Sequence, residues 1–135
     1  MHVSPTAEQF AQLQQLPQDQ PIVMLNLLRY AEQAHPGHGC DGMTGEEAYT
    51  EYGRRLRALD PSIFVAQPFW GGAGGATVIG PESEQWDHML LVRYESVAAF
   101  IGMATHPEYL EAASARTAAL DDSRLILLFD GTEIG

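Results

Sequence analysis

The chain has 135 residues, of which 45% are hydrophobic and 19% charged, so its length and composition indicate a single globular domain over residues 1–135. Eighteen acidic residues against seven basic ones give a formal net charge of −11, which argues against nucleic acid and anionic membranes as partners. All seven basic residues are arginines, and the lack of lysine excludes Schiff-base and P-loop chemistry. One cysteine allows no intramolecular disulfide. The sequence shows no signal-peptide or membrane-spanning pattern, so we expect a cytoplasmic protein.

The first half of the chain predicts two helices separated by a strand. Ser4 as N-cap predicts an amphipathic helix over residues 5–16. Residues 21–30 are apolar at both odd and even positions, which is typical of a strand buried on both faces. Thr44 and Glu47 form a capping-box pattern that opens the second helix.

The second half of the chain predicts further strands and two helices, with a proline that favours a sheet edge for the first strand. These elements are a strand at 62–70, a glycine-rich turn at 71–76, a short strand at 76–79, a strand at 86–94, a helix capped by Ser96, a helix at 107–120 and a strand at 123–131.

The order of these elements predicts an α+β, ferredoxin-like βαββαβ domain with an N-terminal helical extension over residues 1–20. Such a domain has an antiparallel sheet with helices on one face. We expect the strands at 21–30 and 86–94 to be central and mutually parallel, since they are the most apolar. Because the helices cover one face only, apolar residues on the second face predict that two sheets pack face to face in a homodimer.

Several segments resemble the domain-of-unknown-function family numbered 1330, in the dimeric α/β-barrel superfamily. They are PIVMLNLLRY at 21–30, Tyr49 and Tyr52, WDHMLLVRYES at 86–96, HPEY at 106–109, Arg116, and SRLILL at 123–128. The resemblance implies two sheets in a shared barrel. It implies no single reaction, because the superfamily includes cofactor-independent monooxygenases, isomerases, haem-binding enzymes and ligand-sensing modules. Arg93 stands where many family members have an acidic residue.

Asn26 is a polar amide in the middle of an apolar strand, on the same face as Met24. A buried amide without a partner costs roughly 1–3 kcal/mol, so this side chain needs a hydrogen bond. Either Asn26 lines a pocket and orients a substrate carbonyl or oxyanion, or it makes a structural hydrogen bond to a neighbouring element.

Other residues have two interpretations as well. His88 is a general base or a solvated histidine at a strand end, and Arg116 binds an anionic group or pairs with local acids such as Glu108 and Glu111. Helical spacing predicts that Tyr52 and Tyr109 meet the sheet, where they donate to a ligand or belong to the core. The catalytic candidates are Asn26, His88, Tyr109 and Arg116, and the substrate-binding candidates are Met24, Tyr52, Trp86, Arg93 and Phe100.

The loop with His35, His38 and Cys40 contains metal-ligand side chains, but their spacing matches no structural zinc pattern, and we expect neither metal nor cofactor. A haem would need His88 or His106 as its ligand. The sequence therefore predicts a protein that binds a small hydrophobic or aromatic molecule in a pocket between sheet and helices. Such a protein is either a cofactor-independent monooxygenase- or isomerase-like enzyme, or a non-catalytic ligand-binding or structural dimer.

Overall fold

A computed structural model describes residues 1–129 and 131. Apart from the short strand predicted at 76–79, helices and strands follow one another along these residues in the predicted order. They are α1 Ala7–Gln15, β1 Ile22–Tyr30, α2 Gly45–Arg57, β2 Gln67–Ala73, β3 His88–Tyr94, α3 Val97–Ala104, α4 Pro107–Ala119 and β4 Leu120–Phe129.

The four strands form one antiparallel sheet in the order β2-β3-β1-β4, with the helices on one face, which confirms the ferredoxin-like α+β prediction. β1 and β3 are central, as predicted, but they run antiparallel, so the expectation of parallel strands is wrong. Because the chain returns through α2, β2 runs parallel to β1. The helix-free connection from β2 to β3 then reverses the chain, which sets β3 against β1.

The helices begin where a side chain can accept from the free amides of the first turn. Thr44 and Glu47 form the predicted capping box of α2, and Ser96 caps α3 as predicted. α1 is shorter than predicted because Thr6, rather than Ser4, is its N-cap and forms a capping box with Gln9.

The prediction was least accurate around β2, which begins at Gln67 instead of residue 62. Asp60 is the reason, because its carbonyl accepts from the amides of Ile63 and Phe64 and holds this segment in a turn. The predicted turn at 71–76 is partly strand, and residues 76–79 form a loop instead of a strand. β4 begins three residues early, at Leu120, and position 130 of the predicted strand lies outside the described residues.

The core lies between the sheet and the helices in two adjoining clusters. The first core cluster joins Leu28 and Leu120 to Ala48 and Tyr52 of α2 and to the alanines of α4. The second core cluster joins β1 and β3 to α3 through residues such as Ile22 and Val97, and side chains of α1 pack against it. No helix within the described part of the chain has the length and apolar character to cross a membrane.

Among the described residues, no helix covers the opposite face of the sheet, which exposes apolar side chains. Trp70 on β2 is 57% exposed, and Ile126 and Leu128 on β4 are each 45% exposed. The register places Leu91 opposite Trp70 and Leu25 opposite Ile126, so apolar positions extend across all four strands. We call this surface the open face.

Candidate functional site

A row of tyrosines crosses the layer between the sheet and helices α2 and α4. The ring centroids of Tyr30 and Tyr49 are 5.9 Å apart, those of Tyr49 and Tyr52 are 5.3 Å apart, and those of Tyr52 and Tyr109 are 6.5 Å apart. Tyr52 and Tyr109 also share a hydrogen bond of 2.8 Å between their hydroxyl oxygens. The helical spacing predicted that Tyr52 and Tyr109 meet the sheet, and the structure brings them into direct contact.

Burial controls the protonation of these phenols. It raises the pKa of Tyr49 to about 12, and it also raises the pKa of Tyr52 and of Tyr94 on β3 well above the usual value of a tyrosine. The positive charge of Arg116 opposes these shifts in all three tyrosines, so its guanidinium lies within electrostatic reach of them. Near neutral pH, Tyr49, Tyr52 and Tyr94 are therefore hydrogen-bond donors and not general bases. We call Tyr49, Tyr52, Tyr94 and Tyr109 together with Arg116 the tyrosine–arginine cluster.

Arg116 lies on α4 and is partly buried. Its Nη1 donates to the carbonyl oxygen of Val3 at 2.8 Å, and its Nη2 lies 3.5 Å from Oγ of Ser123. Within residues 1–129 and 131, no carboxylate forms an ion pair with Arg116, so the predicted pairing with Glu108 or Glu111 is absent there. Ion pairs to carboxylates do occur at Arg29, Arg54, Arg55 and Arg124.

Asn26 points to the helix side of the sheet and is only partly buried. Its Nδ2 donates a long hydrogen bond of 3.3 Å to the carbonyl of Met24 on its own strand. In the part of the chain that the structure describes, its side-chain oxygen accepts no hydrogen bond. Its register partners are Leu90 and Leu125, and Leu125 is 46% exposed. Because Asn26 is partly exposed, its amide oxygen is available to a donor from outside the protein.

His88 lies at a different place, in a cleft of about 510 Å³ at the adjoining ends of β1 and β3. The cleft is lined by Tyr30, Ala31, Glu32, Thr44, Glu46, Ala73, Asp87 and His88. Asp87 accepts a hydrogen bond from the backbone amide of Tyr30 at 2.8 Å. Because Tyr30 packs against Tyr49 with tilted rings, this cleft adjoins one end of the tyrosine row, whereas Arg116 lies within reach of Tyr49 and Tyr52 farther along it.

The structure separates Trp86 from these residues. Its ring lies between the guanidiniums of Arg29 and Arg124, at 4.8 and 4.9 Å from the ring centroid. The predicted strand at 86–94 would place Trp86 on the same face as His88, but β3 begins only at His88. The pairing of β1 with β3 ends at Leu28 and His88, so the strand alternation does not extend back to Trp86.

The remaining binding candidates are spread over the fold. Met24 is buried in the second core cluster, and Phe100 packs edge-to-face on Tyr94 in the same cluster at 5.0 Å. Arg93 is exposed on the open face, opposite Val23 and Gln67.

The histidines of the loop before α2 have partners elsewhere in the fold. His35 Nε2 lies 3.0 Å from Oδ1 of Asp121, and His38 Nδ1 lies 3.2 Å from Oγ of Ser114. Cys40 is buried under α2. Among the residues that the structure describes, no three His, Cys, Asp or Glu side chains gather as metal ligands. His106 caps α4 by accepting from the amide of Glu108.

This chain is similar over nearly its whole length to the RPA0582 protein of unknown function from Rhodopseudomonas palustris. The two sequences are 41% identical, the alignment covers 98% of each chain, and the structures superpose with a TM-score of 0.83. The methylated form of the same protein is 40% identical, covers 97% of this chain and 96% of its own, and gives a TM-score of 0.86. The chain belongs to the family of this protein.

More distant likenesses show the fold alone. The hydroxynitrile lyase from Passiflora edulis is 16% identical, with 87% of this chain and 99% of that chain covered and a TM-score of 0.57. A dimeric protein of unknown function and ferredoxin-like fold from Bacteroides fragilis is 14% identical, with 81% and 95% covered and a TM-score of 0.52. No protein-family model matches the chain, and no curated protein matches it.

The structure adds members to the site that sequence reasoning did not select. Tyr94 lies opposite Ile22 and Ser123 opposite Leu28, so both face the helices. Ser123 is 5% exposed, but it stands between Asp122 and Arg124 in the chain, so the sequence pattern gave no signal that its hydroxyl faces inward. Nothing in the sequence pattern indicated that Val3 reaches Arg116.

Proposed function

We propose that this protein binds a small aromatic or hydrophobic molecule between the sheet and helices α2 and α4, at the tyrosine–arginine cluster and Asn26. The observation that carries the proposal is the partly buried guanidinium of Arg116, which lies among protonated phenols and has no carboxylate partner in the described residues. Binding sites for small molecules typically combine apolar walls with a few placed polar groups. Here the tyrosine rings supply the walls, and Arg116, the phenols and the Asn26 oxygen supply the polar groups.

A catalytic role follows from the resemblance to the family numbered 1330, whose superfamily includes cofactor-independent monooxygenases and isomerases. In such a reaction Asn26 would orient a substrate carbonyl, Arg116 would stabilise negative charge, and Tyr109 would donate a proton. A general base would have to be His88, because the high pKa values of Tyr49, Tyr52 and Tyr94 exclude them.

A non-catalytic ligand-binding role is the second candidate. Two observations favour it, namely the mutual hydrogen bond of the Tyr52 and Tyr109 hydroxyls and the position of His88 in the separate cleft. Turnover assays with quinols and lactones, followed by oxygen uptake and product analysis, distinguish the two roles. Product formation that is lost in His88→Ala supports the enzyme.

The homodimer belongs to the same proposal, with the open face as its interface. A monomer that exposes Trp70, Ile126 and Leu128 together would leave an apolar surface in water that a second copy can bury.

Binding is tested by calorimetry with phenols, quinols, lactones and fatty acids. We expect at least one aromatic compound to bind, and we expect Asn26→Ala and Tyr109→Phe each to weaken that binding roughly three- to tenfold, which corresponds to one lost hydrogen bond. Thr117→Ala is the matched control, since Thr117 neighbours Arg116 on α4 but is exposed. The proposal fails if no compound binds, or if all four proteins bind equally.

A further inference from the structure

We infer that Arg116 and Ser123 form a binding subsite for the carboxylate of an aromatic or hydrophobic acid, and that the segment His2–Val3 fills this subsite until such a ligand displaces it. We call His2–Val3 the strap. The inference rests on the proposed ligand-binding function and names the chemical class of the ligand.

Two successive carbonyl groups of the strap occupy the donors of this subsite. Arg116 Nη1 donates to the carbonyl oxygen of Val3 at 2.8 Å, and Ser123 Oγ donates to the carbonyl oxygen of His2 at 2.6 Å. The two donor side chains are neighbours, because Arg116 Nη2 lies 3.5 Å from Ser123 Oγ. The strap thus offers two oxygen acceptors to the guanidinium and the hydroxyl. A carboxylate carries the same kind of acceptor atom.

A carboxylate is a better partner for these donors than the strap is. Hydrogen bonds in which one partner is charged are roughly twice as strong as those between neutral groups, so a carboxylate strengthens the bond that Ser123 now makes to a neutral carbonyl. The planar guanidinium of Arg116 also matches the two oxygens of a carboxylate. Peptide carbonyls are neutral, so the strap leaves the charge of Arg116 without a counter-charge in the described residues. A ligand carboxylate supplies that charge in partly buried surroundings, where the interaction is less screened than in water.

The strap is held at few points, so it can leave without disturbing the core. Beyond its two carbonyls, its contacts are the His2 amide, which donates to Asp122 at 2.8 Å, and the Val3 side chain, which packs at the margin of the first core cluster. His2 and residues 4–6 are exposed. Segments with so few buried contacts open at low free-energy cost.

The surroundings of the strap indicate the rest of the ligand. Val3 packs against the same cluster as Tyr49, Tyr109 and Leu90. A ligand whose carboxylate replaces the strap carbonyls would place its apolar body beside these side chains. The tyrosine rings and Asn26 therefore favour an aromatic or hydrophobic acid over a small inorganic anion as the ligand.

The experiment measures the affinity of benzoate, and of benzamide as its neutral analogue, by calorimetry in variants of the full chain. Val3→Gly removes the apolar anchor of the strap but keeps its backbone, and Val78→Gly is the matched control because Val78 is 90% exposed in the loop between β2 and β3. We expect benzoate to bind Val3→Gly about fivefold more tightly than wild type, and Val78→Gly to equal wild type. Arg116→Gln should weaken benzoate binding at least tenfold, alone and together with Val3→Gly, and should affect benzamide far less.

A second measurement follows the strap itself. We expect benzoate to shift the NMR signals of the Val3 methyl groups in wild type. If neutral phenols bind but benzoate affinity is equal in wild type, Val3→Gly and Arg116→Gln, the subsite is wrong and the proposed function stands. If benzoate binds through Arg116 but Val3→Gly has no effect and the Val3 signals do not move, the inference that the strap fills the subsite is wrong. If no aromatic compound binds any variant, both proposals fall.

Discussion

At the scale of single residues, the most unusual chemistry belongs to the tyrosines. Four of them keep their protons more tightly than a tyrosine in water, because burial disfavours the charged phenolate. Tyr30 also lies near Glu46 and Asp87, whose negative charges raise its pKa further.

These shifts predict a loss of stability in alkali. Tyr49 has a pKa of about 12 in the fold and of about 10 in the unfolded chain. Below about pH 10 both states hold the proton, so the contribution to stability is complete. Between pH 10 and 12 the unfolded chain releases protons that the folded chain keeps, so the free energy of unfolding falls as pH rises. Urea unfolding at a series of pH values measures this loss, and Tyr49→Phe should reduce it.

Tyrosinate absorbance at 295 nm provides the direct check. At pH 11 the folded protein should show less tyrosinate than the same protein unfolded in urea. Equal titration curves in the two states would contradict the burial of these phenols.

At the scale of elements, the start of α2 depends on a contact that no local pattern reveals. The Gly45 amide donates to the carbonyl of Ala31, and a Cβ at Gly45 would lie 2.1 Å from that carbonyl oxygen and 2.6 Å from the carbonyl oxygen of Ala119. The capping box predicts that a helix starts here. Only the packing of α2 against the ends of β1 and α4 explains why its first residue is glycine.

Gly45→Ala should therefore destabilise the fold by roughly 1–3 kcal/mol, the usual cost of overpacking, because backbone atoms must move. Gly102→Ala in α3 is the matched control. A Cβ there meets nothing within 4 Å, and we expect stabilisation of roughly 0.5–1 kcal/mol because alanine favours the helix. Urea unfolding gives both values, and similar effects of the two substitutions would show that the contact at Gly45 is unimportant.

At the scale of the whole molecule, we expect the open face to determine how the chain associates. We expect wild type to be a dimer by light scattering. Ile126→Glu places a charge on the open face and should shift the mass toward a monomer, because an unpaired charge in an apolar interface is costly. Leu110→Glu on α4 is the control, since Leu110 is 56% exposed on the helical side. A monomeric wild type, or an Ile126→Glu variant that stays dimeric, would exclude this interface.

The sequence alone determined the order of the elements, the capping of α2 and α3, and the central position of β1 and β3. These properties depend on hydrophobic periodicity and on hydrogen bonds between residues three positions apart, which are local in the chain. It also selected Asn26, Tyr52, Tyr109 and Arg116 as candidate site residues, and it predicted that Tyr52 and Tyr109 meet the sheet. It did not determine the start of β2 or the position of Trp86, since these depend on where strand pairing begins and ends.

Which of these groups come into contact depends on the tertiary structure. Arg116 and Val3 are 113 positions apart, and Tyr52 and Tyr109 are 57 positions apart, so no spacing rule connects them. Their contacts arise because the packing of α2 and α4 on the sheet brings distant segments together. The same packing leaves Arg116 without a described carboxylate partner although the chain carries 18 acidic residues. The negative net charge follows from the composition alone, whereas the partly buried position of Arg116 among the tyrosines exists only in the folded chain.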